Sequence, residues 1–262
     1  MKKMIIAMFI ATVAATSAVS TASAQQQIKY GVRAGFNNST YRIGIKDASF
    51  SVNPGSKAGI YLGGQAIIPI QGVWSFQPEL VYSMGGLKIS GKGEQLELLE
   101  MGLDGATGTL SISSTMHHLN IPLLVRMQAS DKLSLMAGPY IAYRMALGVD
   151  YNDGMENFMK EGAMDEELML EEIANAKKSL KTTLDENLSK LDIGFTIGAE
   201  YAFDNGLFVD MRYNFGLINH LKSDYKIVMD GETVEEGSWK KDMGVEPKMK
   251  RSSFQIGVGY RF

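Results

Sequence analysis

The 262-residue chain contains no cysteine, which excludes disulfides, thiol catalysis and cysteine-based zinc or iron–sulfur sites. It has no excess of positive charge: 26 basic against 29 acidic residues give a formal net charge of −3. Nucleic-acid binding, which needs a basic face, is therefore disfavoured. Beyond the first residues no apolar run is long enough to cross a membrane as a helix. Proline is scarce, six residues against 28 glycines, so most of the chain is free to pair as strands.

The start of the chain reads as a secretory leader. Lys2 and Lys3 form its charged end, residues 4–13 its apolar stretch, and Ala22-Ser-Ala24 a small-residue cleavage site. Its loss would take the formal charge from −3 to −5, because the leader holds two lysines and no acid. No cysteine follows the cleavage site, so a lipoprotein anchor is not expected. Residues 1–24 are thus assigned to the leader and 25–262 to a single domain.

The pattern that carries most information is at the other end, Phe254-Gln-Ile-Gly-Val-Gly-Tyr-Arg-Phe262. Phe254, Ile256, Val258, Tyr260 and Phe262 fall on one face of a strand, and small or polar residues on the other. An apolar face toward lipid, a polar interior and aromatics at the interface are the requirements of an outer-membrane barrel. Tyr260 and Phe262 are read as a C-terminal signal for the barrel-assembly machinery.

Eight segments alternate in this way: 28–37, 57–68, 74–84, 115–128, 133–145, 191–201, 207–215 and 253–262. Turns after the second, fourth and sixth are short, one of them Asn205-Gly206, which readily takes positive φ. Links after the first, third, fifth and seventh are long. The expected fold is all-β: an eight-stranded antiparallel up-and-down transmembrane barrel with long extracellular loops, one partly helical, in the outer membrane. A soluble up-and-down barrel would instead need apolar residues on the inward face.

The motifs Gly31-Val-Arg-Ala-Gly-Phe-Asn37, Phe76-Gln-Pro-Glu-Leu80, Leu119-Asn-Ile-Pro-Leu123, Ala137-Gly-Pro-Tyr140 and the Gly-Tyr-Arg-Phe terminus occur in this order. As a set they resemble the PorT-like outer-membrane β-barrel family of Bacteroidota. The resemblance implies the fold and the location, is compatible with an accessory role in secretion or surface assembly, and transfers no catalytic residue.

The predicted inward face gathers Arg33, Glu79, Arg126, Arg144, Asp192, Glu200, Asp210, Arg212 and Arg261. Eight strands enclose only enough room for side chains, and buried charges persist only when paired. An arginine–carboxylate network filling the lumen is therefore expected, with a narrow polar path for ions or small solutes as the alternative. Inward glycines such as Gly198 and Gly257 would make room for the long side chains.

A third reading is a barrel-embedded hydrolase or acyltransferase. His117, His118 and His220 are placed near the outer rim, with Ser113 and Ser114 nearby in sequence, and a triad would need base and nucleophile in contact. Rim histidines more often serve as interfacial residues, so no enzyme, cofactor or metal site is expected; adjacent strand residues such as His117 and His118 point to opposite faces.

Among the long links, 155–190 reads as helix, and from 153 to 190 ten acids face five bases. Met164, Leu168, Ile173 and Leu180 would form an apolar stripe, with Met169 and Leu170 nearby. It is either a solvated acidic helix or an element packed over the barrel mouth or onto an envelope partner protein. Elsewhere, Leu96–Met101 suggests a helical turn, and Lys240, Lys241, Lys248, Lys250 and Arg251 form a basic cluster facing solvent or lipopolysaccharide. Expected surroundings are outer-membrane lipid and lipopolysaccharide, around a monomer.

Overall fold

The computed structural model describes residues 27–45, 51–52, 55–92, 109–151, 166–229, 231–242 and 246–262. The leader expected at 1–24 and the helical turn expected at 96–101 lie outside them. The described elements are β1 (Lys29–Ile45), β2 (Ser51–Val52), β3 (Gly55–Gln71), β4 (Trp74–Lys92), β5 (Thr109–Gln128) and β6 (Leu133–Tyr151). They continue as α1 (Glu166–Asn187), β7 (Leu191–Ala202), β8 (Leu207–Gly216), β9 (Asp224–Met229), β10 (Glu232–Ser238), α2 (Trp239–Asp242) and β11 (Pro247–Arg261).

Eight of the strands form a ring in the order β11-β8-β7-β6-β5-β4-β3-β1, all antiparallel. It closes through β1 and β11, from Gly31 opposite Arg261 to Ile45 opposite Pro247. At the seam Phe262 N–H donates to the Tyr30 carbonyl at 2.9 Å, so the last residue is tied to the first strand. Closure removes the free edges that would otherwise recruit other chains. The protein is an all-β, eight-stranded antiparallel barrel.

Short turns and long links segregate to opposite ends, as the spacing predicted. Gly72 (φ 57°) turns β3 into β4, and Gly206 (φ 87°) turns β7 into β8. Both positions have positive φ, which glycine adopts without a Cβ penalty. Along the wall, Phe36, Leu62, Ile121, Ile141 and Val258 are exposed outward, whereas Arg33, Gln77, Glu79, Arg126 and Asp210 are buried inward.

The strands are longer than the alternation alone predicts. β5 has 20 residues and β6 has 19, against roughly 9–11 for a membrane-crossing strand. Parts of the expected loops, 88–92 and 109–114, are strand, so the wall rises above the membrane on the long-loop side. There its inner face becomes mostly apolar, with Ser111 and Ser114 also buried. Tyr41, Leu87, Met116, Leu147, Val149 and Met249 form a buried cluster with Leu188.

A β-bulge makes this switch in β6. The register slips between His117 and His118, so that Arg144 pairs with His118 and Ala146 with His117, leaving Met145 as the extra residue. Arg144 and Leu147 both face inward as a result, and Val149 follows; an unbroken strand would have turned Gly148 and Asp150 inward.

Helix α1 covers this end. Helix is absent at Leu188–Lys190, where the pattern had continued it, and residues 152–165 lie outside the described set. Ile173 is buried, and Leu180 and Leu184 pack on the apolar cluster, whereas Leu170 is 48% exposed. The helix thus packs over the barrel mouth through part of its predicted stripe. It also completes the small β9–β10 sheet. The Asn187 side chain accepts from Lys226 N–H at 2.8 Å and donates to its carbonyl at 2.5 Å; Thr183 Oγ1 accepts from Val228 N–H at 3.0 Å. Two side chains one helical turn apart stand in for a pairing strand.

Candidate functional site

Alternation delivers a polar side chain to the lumen at every second residue, and the glycines leave space between them. A Cβ on Gly198 would lie 2.9 Å from Arg212 Cγ, and one on Gly257 would collide with the Tyr61 hydroxyl. The central layer is built on Glu79 of β4. Its Oε2 lies 3.1 Å from Arg33 Nη1 and also pairs with Arg212 Nη1. Asp210 Oδ2 joins the same two arginines, at 2.7 Å from Arg33 Nη2 and 3.0 Å from Arg212 Nε. The Tyr61 hydroxyl donates to Asp210 Oδ1 at 3.1 Å, and its ring lies under the Arg33 guanidinium at 4.4 Å.

Gln77 links this square to a second group nearer the short turns. Its amide donates to Glu79 Oε1 at 2.7 Å, and its carbonyl accepts from Arg126 at 3.0 Å. Arg126 Nη2 donates to Glu200 Oε1 at 2.7 Å and to Ser134 Oγ at 2.8 Å; Arg261 pairs with the same Glu200 oxygen. Gln255 of β11 accepts from Arg33 at 3.3 Å. All eight barrel strands supply a member of one connected network.

Toward the long loops a separate group forms around Asp192. Arg251 Nε lies 2.8 Å from Asp192 Oδ2, His220 Nε2 lies 3.1 Å from Oδ1, and the Tyr140 hydroxyl donates to Oδ2 at 2.9 Å. Arg251 Nη2 also donates to Asn120 at 3.1 Å. Between the two groups about 10 Å³ is left for the centre of a water molecule, room for one. Arg33, Arg212, Tyr140 and Gln255 line it.

Of the nine inward charges read from the pattern, seven join the first network: Arg33, Glu79, Arg126, Glu200, Asp210, Arg212 and Arg261. Asp192 belongs to the second group. Arg144 stands apart from both carboxylate groups: its Nη1 lies 2.6 Å from Asp185 of α1, and its Nη2 donates to the Leu188 carbonyl at 3.0 Å. It ties the covering helix to the wall.

Two residues sit elsewhere than the pattern implied. Arg251 is buried inside the barrel, whereas Lys240, Lys241, Lys248 and Lys250 are exposed. Continuing the C-terminal alternation two residues upstream of Ser253 would have found it. His220 is buried against Asp192 and edge-on to Tyr41, 5.6 Å between ring centroids, not at the rim surface. It lies in a link without periodicity, so no pattern marked it. His118 is buried inward, and His117 faces outward with Nδ1 2.6 Å from the Tyr82 hydroxyl. Ser113 Oγ accepts from Lys57 at 3.1 Å, and no hydrogen bond joins Ser113 or Ser114 to a histidine among the described residues.

The profile of the outer membrane protein beta-barrel domain matches residues 23–222. The chain belongs to the outer membrane protein beta-barrel family. Its members' name fits the closed ring with an apolar exterior, and the protein is located in the outer membrane, among its lipids. No curated protein matches the sequence. Among solved structures it is similar to OprG from Pseudomonas aeruginosa (13% identity, 91% of this chain and 97% of that one, TM-score 0.42). It is also similar to Ail of Yersinia pestis, the attachment invasion locus protein (8%, 88% and 98%, TM-score 0.36), and to the outer membrane protease OmpT from Escherichia coli (6%, 93% and 99%, TM-score 0.37). At such identities and TM-scores nothing about activity transfers from them.

The helix anchor of this family member has a pH dependence. Burial opposes ionisation of Asp185, but the Arg144 hydrogen bond and charge outweigh it, aided by Lys190, and hold the carboxyl below its ordinary 3.8. A folded value below the unfolded one means the contribution is complete above about pH 4 and is lost as pH falls through the lowered value. Protease access to 166–187 is expected to rise only below pH 4, and Asp185→Asn should show the same access at neutral pH.

Proposed function

We propose that this barrel is a closed, non-enzymatic scaffold of the cell envelope whose surface links, rather than its lumen, meet partners. The observation that carries this is the ion-pair network to which every strand of the ring contributes. Such a network has no free bore, since four arginines and three carboxylates occupy the section that a solute would need. Above it, the Asp192 group and then the apolar cluster under α1 add further barriers.

The finer reading is a monomeric PorT-like barrel of Bacteroidota, an accessory to secretion or surface assembly, supported by the five motifs on β1, β4, β5, β6 and β11. Residues 1–24 would be its leader and 25–262 its barrel domain. Tyr260 and Phe262, both exposed on the outward face, would present the terminal strand to the barrel-assembly machinery. An envelope partner would meet the 150–190 link.

The test is single-channel recording of the refolded chain in planar bilayers. No conductance steps are expected. Steady steps from the wild type would sink the scaffold reading and make solute passage the function.

A further inference from the structure

We infer that the groove between α1 and β6 is a binding site for the phosphate of an outer-leaflet glycolipid. The groove has a volume of about 310 Å³ and is lined by Arg144, Lys181, Asp185 and Lys190, with Met145 and Ala146 on its wall. Three cations against one carboxylate leave a positive surplus. The single acid is already committed to Arg144 at 2.6 Å and lies 3.5 Å from Lys190 Nζ. Lys181 and Lys190 keep their ammonium groups in reach of a further anion, and buried Arg144 has an Nε without a hydrogen-bond partner among the described residues.

Its height on the barrel selects the ligand. The outward apolar series on β6 is Leu133, Leu135, Ile141, Tyr143 and Met145, all exposed. Beyond Met145 the bulge ends that series, and the next outward residues are Ala146 and then Gly148 and Asp150. The groove therefore opens where hydrocarbon gives way to headgroups. Met145 and Tyr143 would lie along the upper acyl chains while the lysines reach a phosphate, a charge-assisted contact stronger than a neutral hydrogen bond. The inference needs only the outer-membrane location and stands whether or not the lumen conducts.

The experiment is native mass spectrometry of the full chain in phosphatidylcholine nanodiscs, titrated with phosphorylated lipid A, dephosphorylated lipid A or inorganic phosphate. Lys181→Ala/Lys190→Ala is expected to weaken phosphorylated lipid A binding about thirtyfold, from the typical attraction of a lysine near a charged membrane surface. Lys181→Glu, a single change at an exposed helix position, should weaken it in the same direction. Lys240→Ala/Lys241→Ala removes the same charge from exposed α2 and should leave binding unchanged. Equal binding by the Lys181→Ala/Lys190→Ala variant and the wild type would overturn the site, as would equal affinity for the dephosphorylated lipid. Displacement of the lipid by an equal concentration of inorganic phosphate would overturn the glycolipid as its source.

Discussion

Replacing Glu79 with alanine is expected to destabilise the barrel by about 3–5 kcal/mol, the usual cost of stranding a buried charge. Glu79 Oε2 serves both Arg33 and Arg212, and Oε1 fixes Gln77. Without it, two side chains that are each about 1% exposed share only Asp210, and neither can reach water. The desolvation already spent on two guanidinium groups is then no longer offset. Urea unfolding in lipid vesicles, followed by tryptophan fluorescence, measures the loss.

The comparison that isolates the cause is a concerted change. Replacing Glu79, Arg33, Arg212 and Asp210 together by methionine or leucine removes charge and counter-charge at once. Its cost should be far smaller than that of Glu79→Ala, because well-packed apolar groups can replace a buried ion cluster at little penalty. If the fourfold variant loses as much stability as the single one, the pairing is not what holds the lumen, and packing volume is.

The membrane part of the fold was legible because lipid imposes one rule over the whole band: alternate residues must be apolar outside and accommodated inside. Phe36, Ile60, Val125, Ile193 and Val258 satisfy it, and all are exposed outward. The rule stops where the wall leaves the membrane. Above that level the outside meets water and the inside holds Tyr41, Leu87, Met116 and Met249, so the apolar face changes sides. Links without a repeat carry no such rule, which hid His220. The Met145 bulge hid the rest, since one extra residue reverses the phase without leaving a compositional mark. Gln77, Gln255 and Tyr61 lie on the same inward face, yet charge alone does not mark them; the neutral Gln77 amide bridges Glu79 and Arg126.

Opening the lumen is expected to require lesions in three layers, since the central network, the Asp192 group and the apolar cluster under α1 lie in series. Arg126→Ala and Arg212→Ala combined with Asp210→Asn remove guanidinium bulk while each remaining carboxylate keeps its own arginine: Glu79 keeps Arg33, and Glu200 keeps Arg261. No buried charge is stranded, so this variant should still fold. Recorded alone it is expected to stay silent, because the Asp192 group and, above it, Leu147, Val149, Leu180 and Leu184 still close the outer part of the bore. Deleting 166–187 alone should also give no steps, because the central network is untouched. Only the two together, with Asp192→Asn and Arg251→Ala added to open the layer between them, should conduct, with steps that shrink when Arg126 is restored. Steps from the helix deletion by itself would mean that the arginine–carboxylate layer is permeable, and that α1 is the gate of a narrow channel rather than the lid of a filled barrel.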